Sequence, residues 1–139
     1  MWKSFLIGCG MILITTIIHS GVTLLVVHST FKNSKKRVIH RKYLRSVWLA
    51  VIVIIMFFAT ILESGIWTIC YLYLGALQSF EEALYFSIVT FSTLGFGDLI
   101  LEPEWRFLSA LEAANGIIMF GWSTAIVMAA VQKLYQDRQ

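Results

Sequence analysis

Proline occurs once, at Pro103, and charged side chains make up only 14% of the 139 residues. No Gly/Ser-rich or Gln/Asn-rich tract interrupts the chain, which excludes a long flexible linker or a low-complexity tail. There are two cysteines, Cys9 and Cys70, each inside an apolar run, with neither a CxxC pair nor Cys/His company. They form no disulfide framework and no metal site, and both read as small buried apolar residues. No Ser/His/Asp, Cys/His or HExxH arrangement appears, so no enzyme and no catalytic residue is expected. What is abundant is apolar: 58% of the residues are hydrophobic and the mean hydropathy is +0.78. A water-soluble core of this size could not hide so much apolar surface, so the chain is expected to sit in a membrane as one compact unit.

Three stretches, 5–27, 47–74 and 107–131, are long enough to cross the roughly 30 Å hydrocarbon layer as helices. A fourth, 80–92, covers only roughly 20 Å at about 1.5 Å per residue, which suits a re-entrant or interfacial helix. The third span must then begin on the side where the second ended. Seven of the eleven Lys and Arg lie in one short basic loop, 31–46: Lys32, Lys35, Lys36, Arg37, Arg41, Lys42 and Arg45. The positive-inside rule puts that loop in the cytoplasm, the N-terminus outside and the C-terminus inside, where Lys133 and Arg138 agree with it. Anionic lipid head groups suffice as its partner. A short loop between spans cannot present a groove-reading element, so no nucleic acid is expected. Lys3 before an apolar stretch permits a signal peptide, but the run is long and has no A-x-A-like site, so 1–30 is read as a retained N-terminal span. Within it Thr15, His19 and Thr23 share one helical face, which reads as a helix contact, with a proton relay through His19 as the alternative.

The segment between the second and third spans carries the chemistry. Ser79 with Glu82 three residues later forms an S-x-x-E capping box and marks a helix start before an apolar run. The C-terminal end of that helix would point the negative end of its dipole inward, which favours a cation. Thr93-Leu94-Gly95-Phe96-Gly97-Asp98 follows as an extended hexapeptide. Non-helical backbone at membrane depth is tolerated only where protein buries it or an aqueous pathway is lined by it. Glycines at alternate positions allow positive φ, so consecutive carbonyl oxygens can turn to the same side. Four copies around an axis would build rings of carbonyls, with the Thr93 hydroxyl innermost, able to replace the hydration shell of a monovalent cation.

This hexapeptide resembles the T-V-G-Y-G-D signature of the potassium-channel pore family, with Leu94 for Val and Phe96 for Tyr. Ala83 to Ser87 is similar to that family's pore helix, and Gly116-Ile-Ile-Met-Phe-Gly121 to the glycine hinge of its inner helix. The resemblance covers about residues 47–135 and is strongest to small bacterial two-span channels. It implies a pore domain over 47–139, with outer helix 47–74, pore helix 79–92, filter 93–98 and inner helix 107–131. The implied fold class is an all-α membrane protein of three transmembrane helices plus a re-entrant pore helix and filter loop, assembled as a homotetramer. The permeant ligand would be K+, bound at Thr93, Leu94, Gly95 and Phe96, and no other cofactor is implied. Ile117, Phe120, Thr124 and Met128 are spaced to share one face and match the family's pore-lining positions, with Gly116 and Gly121 permitting bending.

Two features depart from that family. Some relatives carry a Glu where this chain has Val89, pairing with the terminal Asp of the filter, and the span over 1–30 is additional. No span has an arginine at every third residue, so no voltage sensor is expected. About eight residues follow the third span, so gating is expected in the membrane region, from a partner, or not at all. Glu81, Glu82, Glu102 and Glu104 flank the hexapeptide and read either as a solvated loop or as a fourfold gathering of carboxylates that concentrates cations. Glu63 and Glu112, in apolar surroundings, should face the protein behind the filter, where they can be protonated or hydrogen-bonded to the pore helix; they read as structural hydrogen-bonding acids or as modulatory groups that titrate. Two other functions remain open, a weakly selective monovalent cation channel and a non-conducting regulatory subunit.

Overall fold

The computed structural model describes residues 2–34 and 42–136, and within them the regular structure is helical. Helix α1 spans Trp2–Ser34, α2 Lys42–Tyr73, α3 Phe80–Phe91 and α4 Arg106–Gln136. Helices α1, α2 and α4 are long and apolar enough to cross a membrane, whereas α3 has 12 residues. The long helices overrun the apolar windows read from sequence: α1 continues to Ser34, α2 begins at Lys42, and α4 continues to Gln136. Lys, Arg and Gln are good helix formers, so hydropathy falls at these ends before helix propensity does. The basic segment expected as a loop over 31–46 is thus partly helical at both ends. Its residues Lys35, Lys36, Arg37 and Arg41 lie outside the described residues, as does Arg138.

Contacts along the bundle fix the helix directions. The Ser4 hydroxyl donates to the Glu104 carbonyl (3.0 Å), Asn115 Nδ2 donates to Thr15 Oγ1 (2.8 Å), and Ser123 Oγ meets His19 Nε2 (3.4 Å). Helices α1 and α4 therefore run parallel. His19 also meets Glu63 on α2, and Val26 packs with Ile52 and Met56, so α2 runs the opposite way. Helix α1 buries one position per turn along this seam: Ser4, Gly8, Met11, Thr15, His19, Thr23, Val26 and Thr30. The face predicted from Thr15, His19 and Thr23 is the buried one. Small and hydroxylated residues let helix backbones approach closely where lipid offers no hydrophobic drive for association.

Two apolar clusters form the core. One gathers Met11, Trp67, Tyr71, Phe86, Phe91, Leu101, Leu108 and Met119 around α3, and the other gathers Val26, Ile52, Met56 and Ala130 at the opposite end. Between them lies the polar contact of His19, Glu63 and Ser123. Helix α2 ends when Gly75 takes φ +67°, with Ala76 N donating to the Tyr71 carbonyl (3.0 Å) and Gly75 N to the Leu72 carbonyl (3.1 Å). This is a Schellman termination, which uses the last carbonyls and turns the chain sharply back. It returns the chain into the bundle as α3.

The far end of α3 is seated against α4. A Cβ added at Gly116 would lie 1.8 Å from the Phe91 carbonyl oxygen and 2.8 Å from its carbon, so the helix backbones meet there with no room for a side chain. Gly116, expected as part of a hinge, is a packing contact in this structure. Gly121 has nothing within 4 Å of the same position and is the unconstrained glycine of the two. Gly116→Ala should lower thermal stability in detergent by about 1–3 kcal/mol, the usual cost of overpacking. Gly121→Ala should be neutral or stabilising by up to about 1 kcal/mol. Equal melting temperatures for Gly116→Ala and wild type would remove the contact from the account.

Candidate functional site

Helix α3 and the hexapeptide after it form the site. Ser79 occupies the N-cap with extended backbone (φ −104°, ψ 137°), but its hydroxyl makes no cap hydrogen bond. The expected reciprocal capping box is therefore not formed. What favours the helix start is charge, since Glu81 and Glu82 stand in the first turn beside the positive end of the dipole. At the other end Thr93 N donates to the Thr90 carbonyl (2.9 Å) and Leu94 N to the Val89 carbonyl (3.0 Å). This is a second Schellman termination, with threonine where glycine is usual. Thr93 adopts φ +61°, a left-handed conformation that a β-branched residue reaches only under strain.

That strained residue begins an alternation. Thr93, Gly95 and Gly97 have φ of +61°, +54° and +78°. The sequence pointed to the glycines; the participation of Thr93 was not legible, because threonine disfavours positive φ and only the Schellman hydrogen bonds impose it. Residues Thr93 to Asp98 are all exposed on this chain, with Leu94 at 60% and Phe96 at 66%. A groove of about 340 Å³ runs behind them, between α3 and the N-terminal part of α4, lined among others by Val89, Thr90, Ser109 and Ala113.

Asp98 has a partner that sequence reasoning missed. The Tyr85 hydroxyl donates to Asp98 Oδ2 at 2.7 Å. A position one turn earlier on α3 thus supplies the anchor that Val89 cannot. This bond holds the Asp98 carboxyl below its ordinary value of 3.8 and raises the Tyr85 phenol.

The two buried acids sit in separate networks. Glu112 accepts from the Tyr71 hydroxyl at Oε2 (2.5 Å), and its Oε1 lies 2.5 Å from the Ser87 hydroxyl. Ser87 also reaches the Ser64 carbonyl (2.7 Å), so Glu112 ties α4 to both α2 and α3 directly behind the hexapeptide. Glu63, expected behind the hexapeptide and within reach of the short helix, instead faces His19 of α1 at 2.8 Å. The two acids were read together from sequence because both lie in apolar runs; their partners stand 25 to 44 positions away in the chain and leave no local signal. Ile117, Phe120, Thr124 and Met128 are all exposed on α4, on the side that the rest of the chain leaves uncovered. Among the described residues no group of three or more His, Cys, Asp or Glu could hold a metal ion.

Residues 46–133 match a family described as ion channel. No curated protein and no solved structure matches the chain.

The Asp98 anchor can be tested by titration. Its folded-state value is depressed, so the bond contributes above the ordinary value of 3.8 and is lost as pH falls through the lowered one. In Tyr85→Phe the Asp98 carboxyl should titrate closer to 3.8, read by carboxyl carbon NMR. An unchanged midpoint would show that Tyr85 is not the cause.

Proposed function

The chain belongs to this ion-channel family, and on that premise we propose that it forms a potassium-selective pore in the cell membrane, built from four copies around one axis. The observation that carries this reading is the alternation of left-handed backbone at Thr93, Gly95 and Gly97 in a hexapeptide that the chain leaves exposed. A residue in that region at every second position lets successive carbonyls face one side. Four such stretches would ring the axis with the oxygens of Thr93, Leu94, Gly95 and Phe96. These replace the hydration shell of K+ at several adjacent sites, each weak enough for the ion to leave. K+ is then the permeant ion, and it moves passively down its gradient.

Each remaining feature has a place in that arrangement. Helix α3 serves as the pore helix and directs its C-terminal dipole at the axis. Asp98, held by Tyr85, stands at the outer mouth with Glu81, Glu82, Glu102 and Glu104 around it, raising the local concentration of cations. Ile117, Phe120, Thr124 and Met128 line the inner cavity, and Gly121 allows α4 to bend below it. Glu112 braces α3 from behind. The N-terminal end of α1 lies at the same end of the bundle as Glu104, so both face outside, the basic segment meets anionic lipid head groups in the cytoplasm, and the C-terminus is cytoplasmic.

Purified protein in planar bilayers under opposed potassium and sodium gradients should reverse close to the potassium equilibrium potential. Gly95→Ala or Gly97→Ala should abolish the current while leaving membrane insertion intact. The mass in mild detergent should be four times the 15.8 kDa of one chain. Reversal near zero, or full current from both glycine variants, would overturn the selective filter. A further outcome concerns the cavity: Thr124→Cys should react with a thiol reagent applied from the cytoplasmic side and block current. Reactivity no greater than that of Trp122→Cys would remove Thr124 from the cavity.

A further inference from the structure

The extra helix α1 lies outside the matched region 46–133, yet it carries a buried polar side chain that meets both α2 and α4. His19 is fully buried near the middle of α1. Its Nδ1 lies 2.8 Å from Glu63 Oε1 on α2, its Nε2 lies 3.4 Å from Ser123 Oγ on α4, and its ring packs 5.3 Å from that of Trp122. Glu63 is also fully buried, and its Oε2 has no hydrogen-bond partner. Both nitrogens of one imidazole are thus engaged with different helices.

Counting protons defines what this pair can do. With one exchangeable proton it is net neutral, either as imidazolium and carboxylate or as imidazole and carboxylic acid. Without it, a net negative charge remains on Glu63 in an interior that offers its second oxygen no donor. Uncompensated charge in such surroundings is strongly disfavoured unless water enters. Among the described residues no second acid or base shares the site. On α1 the nearest other titratable groups are Cys9 and His28, and on α2 they are Cys70 and Tyr71. On α4 they are Glu112 and Lys133. Each stands about two helical turns or more from the pair along its own helix, and Glu112 and Tyr71 bond each other.

The pair touches α4 at a sensitive place. Ser123 follows the unconstrained Gly121 by two residues, and it lines a cleft of about 270 Å³ between α2 and α4 with Val53, Met56, Thr60, Phe120 and Thr124. Resting on the channel reading above, we propose that His19 and Glu63 form a proton-binding site whose occupancy sets how readily the pore opens, with Ser123 passing the change to α4. The bound proton keeps the pair neutral and holds the inner half of α4 to α1 and α2. Its loss leaves Glu63 charged, draws water toward the cleft and releases α4 at Gly121.

Two readouts test this separately. In bilayers the wild-type open probability should rise with pH, the open-to-closed ratio changing by up to roughly tenfold per pH unit for each proton released. His19→Gln and Glu63→Gln should flatten that dependence. Independently of flux, an imidazolium quenches a neighbouring indole, so the fluorescence difference between wild type and Trp122→Phe should titrate and should stop titrating in His19→Gln. Ser123→Ala should keep the fluorescence titration and lose most of the pH dependence of opening. Should His19→Gln fail to insert, Glu63→Gln and Ser123→Ala decide by the same two readouts. A His19→Gln channel with the wild-type pH dependence overturns the proposal, as does steady, pH-independent wild-type current. Absence of wild-type current with an intact Trp122 titration supports the proton site and overturns the channel reading instead.

Discussion

A twelve-residue helix wedged between two long ones is positioned by what its last carbonyls touch, and in this chain they touch bare backbone. The Phe91 carbonyl rests where a side chain at Gly116 would be. From that contact the Schellman turn at Thr93 launches the hexapeptide in a fixed direction, because its two hydrogen bonds leave the chain one way to leave the helix. Glu112, one turn before Gly116 on α4, holds Ser87, one turn before Phe91 on α3. The end of α3 is therefore fixed to α4 at two heights, by close packing at Gly116 and by hydrogen bonding at Glu112. A shift of α4 at this level must move the hexapeptide with it. Below, where Gly121 is unconstrained, α4 can move without doing so.

The buried interior is unusually polar for so apolar a chain. Thr15, His19, Glu63, Ser64, Thr68, Ser87, Glu112 and Asn115 are all buried, while Leu6, Leu13, Ile17, Leu24, Phe58 and Leu62 are exposed. In water this would be inverted. In hydrocarbon an exposed leucine costs nothing, and helices are held together by close packing and by hydrogen bonds that lipid cannot supply. The hydroxyls also bond within their own helices, as Thr15 does to the Met11 carbonyl and Thr68 to the Ser64 carbonyl. They satisfy themselves without a partner while keeping the seam narrow.

Local features of this structure were legible in the sequence and distant ones were not. The spans follow from hydropathy, and the hexapeptide from two glycines at alternate positions after a run too short to cross. The buried face of α1 follows from the spacing of Thr15, His19 and Thr23. The partners of the buried acids do not, since Glu63 could have faced any helix and only the folded chain brings His19 to it. Val89 removed one anchor for Asp98, and nothing local shows that Tyr85 supplies another. Two spacings show the same limit: Ser79 with Glu82 has the spacing of a capping box without its hydrogen bond, and Gly116, read from its spacing as part of a hinge, also seats the Phe91 carbonyl. A spacing states what a residue type permits, and packing selects among the permitted roles.

The division of α4 into two sides then follows from what covers it. Helices α1, α2 and α3 occupy one side, reaching Leu108, Glu112, Asn115, Gly116, Met119 and Ala130, which are buried. The uncovered part of α4 presents Ile117, Phe120, Thr124 and Met128, with Phe120 and Thr124 also bordering the cleft toward α2, and the hexapeptide is exposed beside it. Apolar side chains there would be content against lipid, but the non-helical backbone of Thr93 to Asp98 would not, because its carbonyls have no internal partners and hydrocarbon offers none. Water, ions or further copies of the chain must meet them. Because α1 attaches on the side of α4 away from that surface, it leaves the surface open. An added span placed on the other side would have closed it.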